Sequence, residues 1–302
     1  MNVTIPQEIS TEAGTLLSTN VVDESYPLWS QGTFTRGDKV ILDNSIYEVV
    51  ASTTDTPPDI GSIPSLGVPA SWLRLGYVNS RRMFTGTRDS VSTVDNGNIT
   101  VEFTSADNYY NQIALLGLVG QSVTITVLNG ADEVQQVKSI SLIDAGVENW
   151  FDYFFAPFTQ IESVVLSDLV YIPNGKIRVE IEGSGGLTAC GRVVIGTAHT
   201  VGTINEGTTV GLLTFSRFQR DGYGHLTVNE GRTVSTASFN ASVEKSLVDF
   251  TLKTLRNAGG KIALYIGAEG LEATIILGIA EEPRINYSSF TLCDLTLEVE
   301  GQ

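Results

Sequence analysis

A mainly β fold is predicted by three observations. Apolar and polar residues alternate through several short runs, the period-two signature of half-buried strands. Thirty glycines, several of them following asparagine, supply the turns that such strands need. Only one stretch spaces its apolar residues as a helix would. The predicted organisation is an N-terminal arm (1–20), a small aromatic module (21–80), a β-sandwich domain of jelly-roll type (81–198) and a C-terminal β-rich domain with one helix (199–302).

Residues 1–20 are polar and show no periodicity, which reads as an arm or connecting segment. The module that follows carries Trp29, Phe34, Gly37-Asp38, Val40, Tyr47, Pro57-Pro58 and Trp72. A unit this small buries little surface by stacking layers, so it must build its core from a few large rings held by tight glycine turns. That economy suits modules presenting flat aromatic surface to a ligand or a neighbouring protein. Across 53–70, Pro57, Pro58, Gly61, Pro64, Gly67 and Pro69 argue against regular structure.

In 81–198, Ile99, Val101 and Phe103 alternate with Thr100, Glu102 and Thr104. Val123, Ile125 and Val127 do so with Thr124 and Thr126, and Ile177, Val179 and Ile181 with Arg178 and Glu180. Asp95-Asn96-Gly97-Asn98, Asn129-Gly130 and Asn174-Gly175 separate such runs, and Asn-Gly there signals a hairpin because both residues tolerate positive φ. No helical stretch intervenes, hence the sandwich. Beyond residue 199, strands are predicted at 209–215, 224–228, 233–239, 261–266 and 274–280, and through Leu295, Leu297 and Val299. Val243, Leu247 and Phe250, with Val248, Leu252 and Leu255, fall at helical spacing and stop at Gly259-Gly260. This predicts one helix packed on the sheet.

Composition narrows the function. A net charge of −16 and a pI near 4.4 leave no basic stripe to meet phosphates. Nucleic acid is therefore not an expected partner, and anionic membrane surfaces are disfavoured. Met1-Asn2-Val3-Thr4-Ile5-Pro6 has neither the basic start nor the apolar core of a signal peptide. The most apolar window, Leu271 to Ala280, is interrupted by Glu272 and too short for a bilayer, so no membrane insertion is expected. Cys190 and Cys293 stand alone and read as buried free thiols of a reducing compartment.

No catalytic, cofactor or metal site is predicted. His199 and His225 lie near no nucleophile motif and offer no zinc spacing. Asp144, Glu148 and Asp152 surround Trp150 and Tyr153, an acidic and aromatic mixture that a glycosidase cleft could use. The plainer reading makes those aromatics core or interface. Asp95-Asn96-Gly97-Asn98 lacks the spacing of a calcium loop, and Gly183-Ser184-Gly185-Gly186 lacks the Lys-Ser/Thr pair of a phosphate cradle. Arg217, Arg220 and Arg232 are too sparse for an anion patch.

Trp29, Phe34, Gly37-Asp38, Val40, Tyr47, Pro57 and Trp72 together resemble the small chitin-binding-type carbohydrate-binding modules of bacterial chitinases. That resemblance implies that most of these positions are framework. It also implies that sugar-stacking rings would follow the strand tyrosine, where this sequence has Val50, Ala51, Ser52 and Thr53. The whole arrangement is similar to tail-associated structural proteins of bacteriophages. The residues carrying this second resemblance are Leu116-Gly117-Leu118-Val119-Gly120, the Asp221-Gly222-Tyr223-Gly224 turn and the ending from Leu295 to Gly301. It implies a virion protein of the tail tip, baseplate or fibre-attachment point, made in the bacterial host cytoplasm. It further implies docking to other tail proteins and several symmetric copies, a homo-oligomer. A second reading is a glycan-binding receptor-recognition protein that meets host-surface polysaccharide through Trp29, Tyr47, Trp72 and Trp150. A third is a surface-polysaccharide depolymerase using carboxylates near Trp150.

Overall fold

The computed structural model describes residues 1–10, 14–51, 53–54, 56–62, 70–85, 92–105, 108–144, 150, 159–183, 185–220, 222–268 and 270–302. The fold is mainly β, as its alternating runs predict. Residues 1–20 are not an arm. They supply β1 (Asn2–Thr4) and β2 (Leu16–Thr19), each hydrogen-bonded into a larger sheet, with Val3, Ile9 and Leu16 buried. Strands of three and four residues are too short for periodicity to register, so their partners decide them.

The aromatic module contains β3 (Thr33–Phe34), β4 (Lys39–Leu42), β5 (Ser45–Val49), β6 (Thr53–Thr54), a single helical turn α1 (Pro58–Gly61) and β7 (Trp72–Tyr77). β4, β5 and β7 form one antiparallel sheet, and β3 pairs with β6. Asp43 and Asn44, both at positive φ, make the two-residue turn between β4 and β5. Regular structure therefore does enter 53–70. Pro58 opens α1, where a missing N–H breaks no bond, and Thr53–Thr54 pairs with a distant strand. Pro64, Gly67 and Pro69 lie outside the described residues.

Ten strands follow: β8 (Thr93–Asp95), β9 (Ile99–Phe103), β10 (Gln112–Val119), β11 (Ser122–Leu128), β12 (Val134–Ser141), β13 (Ile143–Asp144), β14 (Thr159–Gln160), β15 (Ser163–Leu166), β16 (Lys176–Glu182) and β17 (Thr188–Gly196). Two sheets, β15-β10-β17-β8 and β12-β11-β16-β9-β2, contribute to one apolar core. The three alternating runs align in rows: Ile99, Ile181 and Val123; then Val101, Val179 and Ile125; then Phe103, Ile177 and Val127. Asn129-Gly130 closes the β11–β12 hairpin. Asp95-Asn96-Gly97-Asn98 instead carries the chain between the two sheets, since β8 pairs with β17 and β9 with β16. Asn174-Gly175 makes the same kind of crossing before β16.

The C-terminal part holds β18 (Ala198–Thr200), β19 (Thr203–Ile204), β20 (Thr209–Thr214), β21 (Arg217–Arg220), β22 (Leu226–Asn229), β23 (Thr233–Glu244), helix α2 (Val248–Ala258), β24 (Ala263–Ile266), β25 (Ile275–Asn286) and β26 (Leu292–Gly301). Its sheet runs β18-β1-β24-β25-β26-β23-β19, with β20 also on β23. The predicted helix is present but its face differs. Val243 belongs to β23, Phe250 and Leu252 are exposed, and Val248, Thr251, Thr254, Leu255 and Ala258 are the buried side. Val243 keeps the strand alternation of Phe239 and Ala241, and that burial outweighs helical spacing.

Layering follows from strands buried on both faces. In β10, Ile113 and Leu115 join the core between the two middle sheets, while Ala114 and Leu116 meet Leu264, Ile266, Ile275 and Leu277 of the C-terminal sheet. In β24, Ala263 and Tyr265 face the helix side. We expect Leu264→Ala to cost about 2–5 kcal/mol, read as a lower urea midpoint. Burial pushes the Cys190 thiol and the Tyr265 phenol up to about 12. Both are neutral when folded, and the unfolded chain releases their protons first. Their contribution is thus complete below about pH 9 and lost as pH rises toward 12. Chemical denaturation at pH 8 and pH 10.5 should show that fall, and a thiol reagent at pH 8 should leave Cys190 unmodified until unfolding.

Candidate docking interface

The aromatic module points its rings inward. Trp72 is 1 % exposed and Tyr47 8 %. Phe34 meets the indole edge-on at 5.2 Å, and Trp72 Nε1 donates to the Thr56 carbonyl at 3.0 Å. Gly61 ends the helical turn against this ring, where a Cβ would stand 2.5 Å from Trp72 Cδ1. Burial raises the Tyr47 phenol above its ordinary range. Tyr47 and Trp72 are thus corrected from contact residues to core, because a core of a few rings must consume them. Trp29 packs half-buried on the same cluster. The Asp38 carboxylate accepts from the Thr35 N–H at 2.7 Å and its hydroxyl at 2.9 Å, making Gly37-Asp38 a structural turn. Trp150 is exposed, but Glu148, Asp152 and Tyr153 lie outside the described residues.

A polar joint ties this module to the middle sheets. Buried Asn79 donates through Nδ2 to the carbonyls of Val22 (3.0 Å) and Val94 (2.7 Å), and its Oδ1 accepts from the Val94 N–H at 3.0 Å. Asp23 and Glu24 accept from the N–H groups of Ser80 and Asn79, filling the donors left open at the start of a 3₁₀ turn (Asn79–Phe84). Glu24 also pairs with Arg82, and buried Arg192 donates to Thr85 and to the Arg82 carbonyl. Beside the joint lies a cleft of about 640 Å³ bordered by Ile9, Tyr77, Phe84, Val194, Lys261 and Ile279. His199 meets Phe250 edge-on, ring centres 5.8 Å apart. Among the described residues, no group of three or more His, Cys, Asp or Glu is placed to hold a metal ion. Nor is any described helix long and apolar enough to cross a membrane.

The most distinctive surface is a ribbon that the sequence reading only half anticipated. β20 and β23 pair out to Thr214 and Thr233, and the chain continues into a second hairpin of β21 and β22. At the neck, Gly231 sits against the Phe215 backbone, where a Cβ would come within 2.4 Å of its carbonyl oxygen. In the outer hairpin Phe218 is opposite Val228 and Arg220 opposite Leu226, all on one face; Arg217, Gln219, Thr227 and Asn229 occupy the other. Phe218, Leu226 and Val228 remain 64 %, 51 % and 45 % exposed. This is the pattern of a half-buried strand pair with its covering layer missing. Nearer the root, Val210, Leu212, Leu213 and Phe215 are exposed as well. Residues 217–220 carry one apolar side chain among Arg217, Gln219 and Arg220, too short a run for alternation to mark a strand, so pairing with 226–229 decides it.

These two sites should respond oppositely to truncation. Trp72→Ala should cost about 3–5 kcal/mol, whereas Phe218→Ser should stay within about 0.5 kcal/mol, because its ring already faces water. Thermal melts of both variants check this. No protein-family model matches this chain, and no curated protein matches it.

Proposed function

We propose that this protein is a structural component of a bacteriophage tail, at the tail tip, baseplate or fibre-attachment point, and that it works by docking to other tail proteins. The observation that carries the reading is the ribbon, an amphipathic strand pair whose apolar face is bare. Covering Phe218, Leu226 and Val228 would contribute roughly 1.5–3 kcal/mol for each side chain fully buried. Exposed apolar surface of this kind marks an interaction site, and strands present it more rigidly than loops do. The stacked sheets behind the ribbon supply a stiff base, as a load-transmitting part requires. The similarity of the Leu116–Gly120 run, the Asp221 turn and the ending to tail-associated proteins supports the same reading. Polysaccharide recognition is less supported, since Tyr47 and Trp72 are spent on the core.

The experiment is localisation. Antibody against the chain, with gold label, should mark one end of the tail in purified particles, and peptide counting should give several copies per particle. Particles that contain the protein nowhere, or only in the capsid, would refute the tail assignment.

A further inference from the structure

The ribbon carries a charge opposite to the surface beside its own root. Residues 209–234 hold three arginines against one aspartate and one glutamate, a net of +1; with −16 for the whole chain, the remainder carries −17. On the face of the C-terminal sheet that also carries Leu277, Glu281 lies directly across from Glu298, and Glu300 directly across from Ile279. Ser238 and Thr236 flank them on β23, and Thr209, Val210 and Gly211 of β20 close a groove of about 310 Å³. Like charges directly opposite on paired strands repel, and Arg284 beside Glu282 also feels the Glu298 carboxylate. Among the described residues, none of Glu281, Glu298 and Glu300 forms an ion pair, and neither do Arg217, Arg220 and Arg232. The nearby Arg284 is engaged by Glu282.

The ribbon leads away from this groove. β23 and β26 stop pairing at Thr236 and Glu300, while β20 and β23 continue outward to Thr214 and Thr233. From Gly211, opposite Thr236, to Tyr223 at the tip is about a dozen residues, or up to about 40 Å of extended chain.

We infer that the ribbon of one molecule lays its Phe218, Arg220, Leu226 and Val228 face across the acidic groove of a second copy of this chain, with Arg220 on the Glu281–Glu298 pair. Ile279, exposed and directly across from Glu300 on the same face, receives the apolar side chains. Donor and acceptor patches are different surfaces, so the copies join head to tail and close into a ring where the rotation permits. This inference rests on the structural reading above and specifies how copies of the chain join.

The test uses the full chain in analytical ultracentrifugation over a range of concentrations. The natural protein should associate. Arg220→Glu and Glu298→Arg should each weaken association by about tenfold or more, and neither should lower the melting temperature of the monomer. Mixing the two variants in equal amounts should restore it, since each ribbon then meets an opposite charge in the other variant's groove. The inference falls if the natural protein stays monomeric, if either variant associates as the natural protein does, or if the mixture stays dissociated. A chain that is monomeric in solution yet found at the tail end by gold labelling would sink the ribbon–groove contact and leave the structural assignment standing.

Discussion

The middle sheet β15-β10-β17-β8 has almost no solvent face at its centre, and the rest of the molecule is arranged around that fact. β10 is buried at each position from 112 to 115, and β17 at nearly every position from 188 to 196. A strand covered on both sides needs apolar residues at successive positions, which is why Val193, Val194 and Ile195 run without a polar break. One polar side chain caught in this zone, Gln112, donates to the Ser167 hydroxyl at 2.9 Å and accepts from the Thr4 hydroxyl. Because Thr4 lies in β1, the same contact fixes the N-terminal strand against the middle sheet. The middle and C-terminal sheets are thereby joined by apolar surface, and the aromatic module is held by the polar joint at Asn79.

Rigidity of this kind leaves few places where another protein can attach, and the sheet edges divide accordingly. Past Gly278, β25 has a neighbour on one side only, but Glu282 at positive φ and Pro283 interrupt its ladder. An edge broken in this way is a poor template for an added strand. β20 has no such interruption, and its side chains are exposed throughout. The surface is therefore closed to further β pairing on one side and open on the side from which the ribbon projects.

Much of this was legible in the residues, and the failures have physical causes. The rows built from Ile99, Val123 and Ile181 could be read directly, because one buried face leaves one alternation. Turn dipeptides could not reveal whether the chain returns to the same sheet. Asn129-Gly130 does and Asn174-Gly175 does not, and pairing with distant strands decides between them. Val243 misled because a spacing of four residues to Leu247 is both a helical step and an even number of strand steps. The inward turn of Tyr47 and Trp72 depended on Gly61 and Thr56 closing over the indole, a contact across a proline-rich stretch with no period of its own. The bare face of the ribbon was hidden for the opposite reason: alternation shows that one side is apolar, not that anything covers it.

The acidity and the ribbon act against each other in a way that suits assembly. A body carrying an excess of carboxylates repels its copies at distances up to about a Debye length, near 8 Å at physiological ionic strength. That repulsion is diffuse and screened, whereas the contact between a guanidinium and facing carboxylates is short and partly desolvated. Free molecules are held apart by the first effect, and in the proposed contact the second prevails only when Phe218, Leu226 and Val228 are seated at the same time. In that proposed contact the apolar face and the single Arg220 act together against the net charge of −16. Requiring both gives a strand pair with bare apolar residues a way to stay soluble until the correct acidic groove is opposite it.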